Sequence, residues 1–334
     1  MDKKQLRWGI IGCAGIAKRA VIPGIQQSEN NQVIAIASRN LATAQETAAG
    51  LNIPVAYGSY EELLQHSEID AVYIPLPNHL HKEWTLKAAA AGKHVLCEKP
   101  LALTADEAEE MIAACQAAGV HLAEAFMYRH HPRYQLLKDT VASGVIGEIR
   151  GIHGTFTFNS AANHGNVRFK QAWGGGSVYD VGCYPITAAR LLLEREPEAV
   201  TAQAFFSPEH DNVDMMTSGL IEFPGSVALT FDCGMWAGGR NTLEIIGSTG
   251  YITVPNAFVS GSEEGWSFYI HTGKEAPEKV TVPLINQYAK QADDFAAVVL
   301  QNARPIVEAD DALHNMKIID AVLQSARTRT RVVL

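Results

Sequence analysis

In the first third of the chain, apolar and polar positions follow two periods in turn. Residues 6–11, 32–38, 70–74 and the few residues up to Cys97 are short, largely apolar runs, as expected of strands buried on both faces. Between them lie segments of helical spacing at 41–50, 60–66, 81–91 and 104–118, the last two closed by Gly92 and Gly119. Glycine just past the last periodic position is a common helix terminator. A further strand is expected at 120–123. Strands alternating with helices of this length predict a parallel, doubly wound sheet, which we place at residues 1–125.

From Arg129 the pattern changes. The spacing predicts a connecting helix over 132–143 and β-rich sequence over 148–158, with Ile152, Phe156 and Phe158 on one face. More strands are expected at 200–206, 217–223, 227–233, 242–246 and 251–254. Val227, Leu229, Phe231 and Cys233 alternate with Ala228, Thr230 and Asp232. Such strands with hairpin-sized gaps predict a large sheet with helices on one face and solvent or a partner on the other. Two amphipathic helices, 287–302 and 310–327, end the chain. The expected class is therefore α/β: an N-terminal Rossmann domain, then a C-terminal α/β domain over 126–334 whose large open sheet is mainly antiparallel.

Composition narrows the partners. A chain of 334 residues favours two domains over one. No apolar run is long enough to cross a bilayer. A net charge of −9, with no basic stripe against it, excludes a nucleic-acid surface and leaves phosphate to a local pocket. The five cysteines, Cys13, Cys97, Cys115, Cys183 and Cys233, are odd in number, scattered and without a Cys-x-x-Cys pair, which suits reduced thiols. The chain runs into its first strand with no secretory h-region, so a cytoplasmic location is expected.

The chemistry sits where strands end. After the first strand comes Gly12-Cys13-Ala14-Gly15-Ile16-Ala17. A dinucleotide turn asks for glycine at the bend, a small residue beside the pyrophosphate and another for helix packing. Gly12, Ala14 and Ala17 take those places, and Gly15 offsets the departure at Ala14. The second strand ends in Ser38-Arg39 with no acid for the adenosine ribose. A hydroxyl and a guanidinium suit a 2′-phosphate, so NADP is expected in preference to NAD. Pro75 to His81 follow another strand, placing Asn78 and His81 to hold ribose or nicotinamide. Neither His79 with His81 nor His130 with His131 has the cysteine or acidic partners of a zinc site, and no metal is expected. The strand up to Cys97 ends in Glu98-Lys99-Pro100. Charges there are affordable only if they face a ligand crevice. Later, Trp173-Gly174-Gly175-Gly176 reads as a flexible approach to a helical segment reaching Leu193. Asp180 and Tyr184 share one face of it, and Gly182 and Pro185 make it irregular.

In order, Gly12-x-Ala-x-x-Ala17, Pro77-Asn78-x-x-His81, Glu98-Lys99-Pro100, Glu124-Ala125-Phe126-Met127-Tyr128-Arg129 and the glycine run with Asp180-x-x-x-Tyr184 make the chain resemble the glucose-fructose oxidoreductase / inositol dehydrogenase / rhizopine catabolism family over nearly its whole length. Tyrosine at 184, where much of that family has histidine, is more similar to the branch with dimeric dihydrodiol dehydrogenase and NADP-dependent xylose dehydrogenase. The resemblance implies catalysis by Lys99 and Tyr184 assisted by Asp180. It implies cofactor contacts from Gly12, Cys13, Ala14, Gly15, Ile16 and Ala17, from Ser38, Arg39, Pro75, Asn78 and His81, and from Glu98, Lys99 and Arg129. A substrate would meet Phe158, Trp173, Asp180 and Tyr184, with the loop at Trp236 shaping the pocket. The expected activity is hydride transfer between NADP and a hydroxyl or carbonyl of a sugar, polyol or dihydrodiol. A free phenol, with a pKa of about 10, is a weak base near neutrality, so a cation such as Lys99 is expected beside it. The expected assembly is a homodimer or larger homo-oligomer formed across the open sheet. The alternative is a non-catalytic NADP-binding sensor or regulator of the same fold, a class that would lack the lysine or the terminal histidine or tyrosine.

Overall fold

The structure, a computed structural model, describes residues 5–259, 266–273 and 275–334. The first four residues, which bear on the expected absence of an export signal, lie outside the described residues. Contacts divide the chain into two compact units, Met1–His131 with Ile285–Leu313, and Pro132–Leu284 with His314–Leu334. The chain thus changes unit at three points, where a single change after residue 125 was expected.

The first unit is built on a parallel sheet of β1 (Leu6–Ile11), β2 (Asn31–Ala37), β3 (Val55–Tyr57), β4 (Ala71–Ile74), β5 (His94–Cys97) and β6 (Leu122–Glu124), in the order β3-β2-β1-β4-β5-β6. β3 was not foreseen, because three residues after Pro54 are too few to show a period. The helices are α1 (Ile22–Gln27), α2 (Leu41–Gly50), α3 (Tyr60–Leu64), α4 (His81–Ala90) and α5 (Ala105–Ala117). Asn40, Ser59 and Thr104 cap α2, α3 and α5 by accepting from the N–H three residues on, which satisfies one orphan donor at each helix start. Because all six strands run the same way, the segments after β1, β2, β4, β5 and β6 gather at one sheet edge. The chain order reverses between β1 and β4, the place where such sheets bind ligands.

The unexpected member of this unit is α8 (Gln287–Gln301). Its Phe295 ring lies 5.2 Å from that of Trp8. Gly24 of α1 lets it approach, since a Cβ there would stand 2.7 Å from Tyr288 Cβ. An apolar stripe on a helix says that it packs, but not against which core.

The second unit opens with α6 (Pro132–Ala142) and holds β7 (Ile149–Asn159), β8 (Ala199–Ser207), β9 (Val213–Phe223), β10 (Val227–Gly234), β11 (Trp236–Gly247), β12 (Tyr251–Pro255), β13 (Phe268–His271), β14 (Glu278–Val280) and β15 (Val332–Val333). Their order is β14-β13-β12-β11-β7-β10-β9-β8-β15, antiparallel except where β10 joins β7. Val227, Leu229, Phe231 and Cys233 are buried as the alternation requires. α7 (Cys183–Leu193) packs on their side of the sheet. Gly154 of β7 makes room for it, because a Cβ there would lie 2.6 Å from Pro185 Cβ. The last helix, α9 (Ala309–Thr328), brings Asn315 to within 3.2 Å of the Thr187 hydroxyl on α7.

Candidate active site

In the first unit the turn after β1 is built for close approach. Gly12 has φ +112, and a Cβ there would lie 2.9 Å from Leu76 Cδ2. A helical run then starts at Gly15 and passes through a π turn, Ala17–Val21, into α1. Cys13, Ala14, Gly15 and Ile16 are half-buried, while Gly12 and Ala17 are buried. The first N–H groups of such a run have no carbonyl behind them, so they fit an anionic pyrophosphate.

Ser38 and the exposed Arg39 follow β2, and the Ser38 hydroxyl accepts from Asn40 N at 3.3 Å. The Arg39 charge is close enough to act on the Tyr60 hydroxyl. That hydroxyl lies 3.8 Å from where a Gly12 Cβ would be, and the Tyr60 ring stands edge-on to Trp84 at 4.8 Å. Burial pushes the Tyr60 phenol above its ordinary value, with the Arg39 cation pulling the other way. Sequence reasoning missed Tyr60, which opens α3 in no motif.

After β4, Pro75 is buried and Asn78 half-buried. His81 departs from the expected cofactor contact. It is fully buried, with Nδ1 3.0 Å from the Pro100 carbonyl and Nε2 2.8 Å from the Leu76 carbonyl. The ring stands between the segment after β4 and the segment after β5, and as a neutral imidazole it donates to one of the two carbonyls. Burial lowers its pKa.

Glu98 and Lys99, both half-buried, stand at the end of β5, and the Lys99–Pro100 peptide is cis. Glu98 accepts from the Tyr73 hydroxyl at 2.5 Å and from Lys99 N at 3.3 Å. Burial, then the charge of Glu98, raises the Tyr73 phenol well above its usual value. The same two causes push Tyr288 of α8 up to about 12, so α8 adds a phenol to this corner that no motif announced. Arg129 also departs from the expected role. Its largely buried guanidinium pairs with Asp311 and anchors the start of α9 within the first unit.

In the second unit, Asp180 lies in a π turn, Val178–Gly182, and Tyr184 is the second residue of α7. The glycines before them are not a flexible approach. Gly175 N donates to the Lys170 carbonyl and Gly176 N to the Arg168 carbonyl, each at 3.0 Å. A Cβ on Gly175 would lie 2.4 Å from the Arg168 oxygen. Small residues are needed here because two backbone segments touch.

That contact holds Arg168, whose Nε donates to Asp180 Oδ2 at 2.6 Å while its guanidinium carbon lies 6.0 Å from the Phe158 ring. Tyr184 is 5% exposed. Its ring meets Phe156 at 5.2 Å and Phe258 at 5.4 Å. Arg168 and Phe258 were also missed, since neither lies in a recognisable pattern. Phe158 packs beside Phe169, Val213, Met215 and Met235. Trp173 is exposed. Trp236 stacks on Phe205 at 4.4 Å, a pairing apart from the rings around Tyr184.

A family model described as the oxidoreductase family with an NAD-binding Rossmann fold matches residues 6–126, and the GFO/IDH/MocA C-terminal domain matches residues 134–253. The chain belongs to the GFO/IDH/MocA oxidoreductase family. As a member of that family it is an NAD(P)-dependent oxidoreductase. It is 37% identical over 330 residues to D-xylose 1-dehydrogenase (NADP(+)) 2 of Haloferax volcanii, covering 98% of this chain and 100% of the relative. It is 35% identical over 248 residues to trans-1,2-dihydrobenzene-1,2-diol dehydrogenase of Mus musculus, covering 73% of each. Among solved structures, a 3-ketoreductase from Actinomadura kijaniata in complex with NADP and TDP-benzene is similar with a TM-score of 0.90 at 33% identity, over 96% of this chain and 98% of that one. Matched structures of that ketoreductase include a lysine-to-alanine and a tyrosine-to-phenylalanine variant. No helix among the described residues of this family member is long and apolar enough to cross a membrane.

Proposed function

We propose that this oxidoreductase uses NADP(H) to interconvert a hydroxyl and a carbonyl on a sugar or sugar-like ring, with Tyr184 carrying the proton and Lys99 stabilising charge on the substrate oxygen. The observation that carries the reading is the immobilised phenol. Tyr184 packs against the stacked Phe156–Phe258 pair, one helical turn after a carboxylate that Arg168 holds in one orientation. Supporting it are an arginine at the end of β2 where an acid would repel a 2′-phosphate, and relatives named for NADP, xylose and a sugar ketone.

When bound, the nicotinamide supplies or accepts the hydride. The residues of the chain do the rest. In oxidation the Tyr184 phenolate takes the hydroxyl proton and becomes the phenol as the C–H bond breaks, and in reduction the phenol gives that proton to the carbonyl oxygen. The role we assign to the Lys99 ammonium is to favour negative charge on that oxygen in the transition state. Paired with Arg168, Asp180 accepts a hydrogen bond from a neighbouring substrate hydroxyl, which favours polyhydroxylated rings. The homodimer or larger assembly is part of the same reading.

Tyr184→Phe and Lys99→Ala are expected to lower kcat at least about a hundredfold, the usual cost of losing a general acid/base. NADPH affinity should hold in the tyrosine variant. The assay follows nicotinamide absorbance across a panel of aldoses, polyols and dihydrodiols. A Tyr184→Phe enzyme of near-normal kcat removes the tyrosine from the mechanism, and turnover confined to non-sugar diols removes the substrate class.

A further inference from the structure

From Thr217 to Phe223, β9 alternates. Thr217, Ile221 and Phe223 are buried, while Ser218 and Leu220 are exposed. Continued unbroken, that phase would turn Asp214 to the open face of the sheet. It is interrupted instead. Phe205 of β8 lies opposite Met216 and Phe206 opposite Asp214, leaving Met215 as an extra residue. A β-bulge of this kind re-aims the side chains beyond it, and Asp214 is only 2% exposed.

The buried carboxylate has a defined target. Its Oδ2 accepts from the Ser177 hydroxyl at 2.7 Å, from Val178 N at 2.8 Å and from the Thr217 hydroxyl at 3.1 Å. Gly176 has φ +123, and a Cβ there would lie 2.0 Å from Asp214 Oδ1, so the last glycine of the run is what leaves room for this group. Val178 opens the π turn that contains Asp180, and α7 with Tyr184 follows without a break. A negative charge at the head of a helical segment is also favoured by the positive end of its dipole.

We propose that Asp214 is a positioning residue: from beneath the sheet bulge it clamps the head of the 178–184 segment and sets where Asp180 and Tyr184 stand, without itself touching substrate. The inference rests on the reading of Tyr184 given above. Displacements of about 1 Å at reacting groups can cost about a hundredfold in rate, so a loosened clamp acts on turnover before it acts on cofactor binding, whose turn belongs to the first unit.

The test uses the full-length chain. Asp214→Asn keeps the shape and an acceptor oxygen but removes the charge, and Ser177→Ala removes one donor. Asp214→Asn is expected to lower kcat at least about tenfold while the dissociation constant for NADPH, read by fluorescence, stays within about twofold. Ser177→Ala should lower kcat about fivefold, the worth of one hydrogen bond. Placed on Tyr184→Phe, each should cost clearly less than it does alone, because groups acting as a unit do not add. An Asp214→Asn enzyme with unchanged kcat, or a full multiplicative loss on top of Tyr184→Phe, overturns the proposal. If Asp214→Asn does not fold, Ser177→Ala decides by the same two readouts. Failure of the tyrosine reading is distinguishable, since it appears in Tyr184→Phe alone as a normal kcat.

Discussion

Arg39 reduces cofactor choice to one guanidinium. The side chain is exposed, and its charge is felt at the Tyr60 phenol. Charge-assisted contacts to a phosphate are worth about 1.5–3 kcal/mol, or one to two orders of magnitude in affinity. Arg39→Asp should therefore reverse the preference from NADP to NAD, while Tyr60→Phe should weaken NADP binding by a smaller factor and leave NAD unaffected. Comparing kcat/KM with the two cofactors checks both, and better turnover with NAD⁺ in the unmodified enzyme refutes the assignment. His81 shows the opposite case, in which a polar residue in the right motif is fully buried against two carbonyl oxygens and donates to one of them.

Among the elements, the glycine run and the bulge in β9 decide how the catalytic segment is mounted. Gly175 donates to one carbonyl, and a Cβ there would run into two backbone oxygens, Arg168 O at 2.4 Å and Lys170 O at 2.8 Å. Backbone cannot step aside as a side-chain tip can. Gly175→Ala is expected to destabilise the protein by about 1–3 kcal/mol, the usual range for overpacking, and to lower kcat because Arg168 and Asp180 move apart. Urea midpoints and turnover measured on the same preparation check this, and a variant of unchanged midpoint would mean the loop gives way freely. Gly182 has a similar part, since a Cβ there would meet Cys233 Sγ at 2.9 Å.

On the scale of the whole molecule, the nine-stranded sheet has α7 on one face, and the other is an alternation rather than a continuous apolar field. His153, Thr230, Asp232 and Glu244 lie among Leu220, Ile246 and Tyr251, which are 37%, 43% and 40% exposed. Mixed faces of this kind are close in composition to protein–protein interfaces. We expect a second copy of the chain to cover it. Sedimentation velocity at micromolar concentration should give a dimer or larger species, and Ile246→Lys combined with Tyr251→Glu should shift it toward the monomer. A single monomeric species from the unmodified chain refutes the assembly.

Much of the fold was set locally and could be read from the chain. Buried parallel strands such as β4 need four consecutive apolar residues, helices such as α5 carry their cap and terminating glycine with them, and β10 alternates because one face is dry. Strand ends pointed to a binding edge: Glu98-Lys99 because charge there is costly without a ligand, and Ser38-Arg39 because no acid stands where an adenosine ribose would call for one. What the chain alone did not determine was which surfaces meet. α8 joins the first core through Phe295 and Gly24, although nothing in its own stripe distinguishes one core from another. Tyr60, Arg168 and Phe258 reach their partners from distant segments, β3 and β15 are too short to carry a period, and Arg129 and His81 are drawn into packing contacts. Asp214 is the clearest instance. Its place depends on one unpaired residue in β9, and a bulge is a property of how two strands register, which exists only once both are paired.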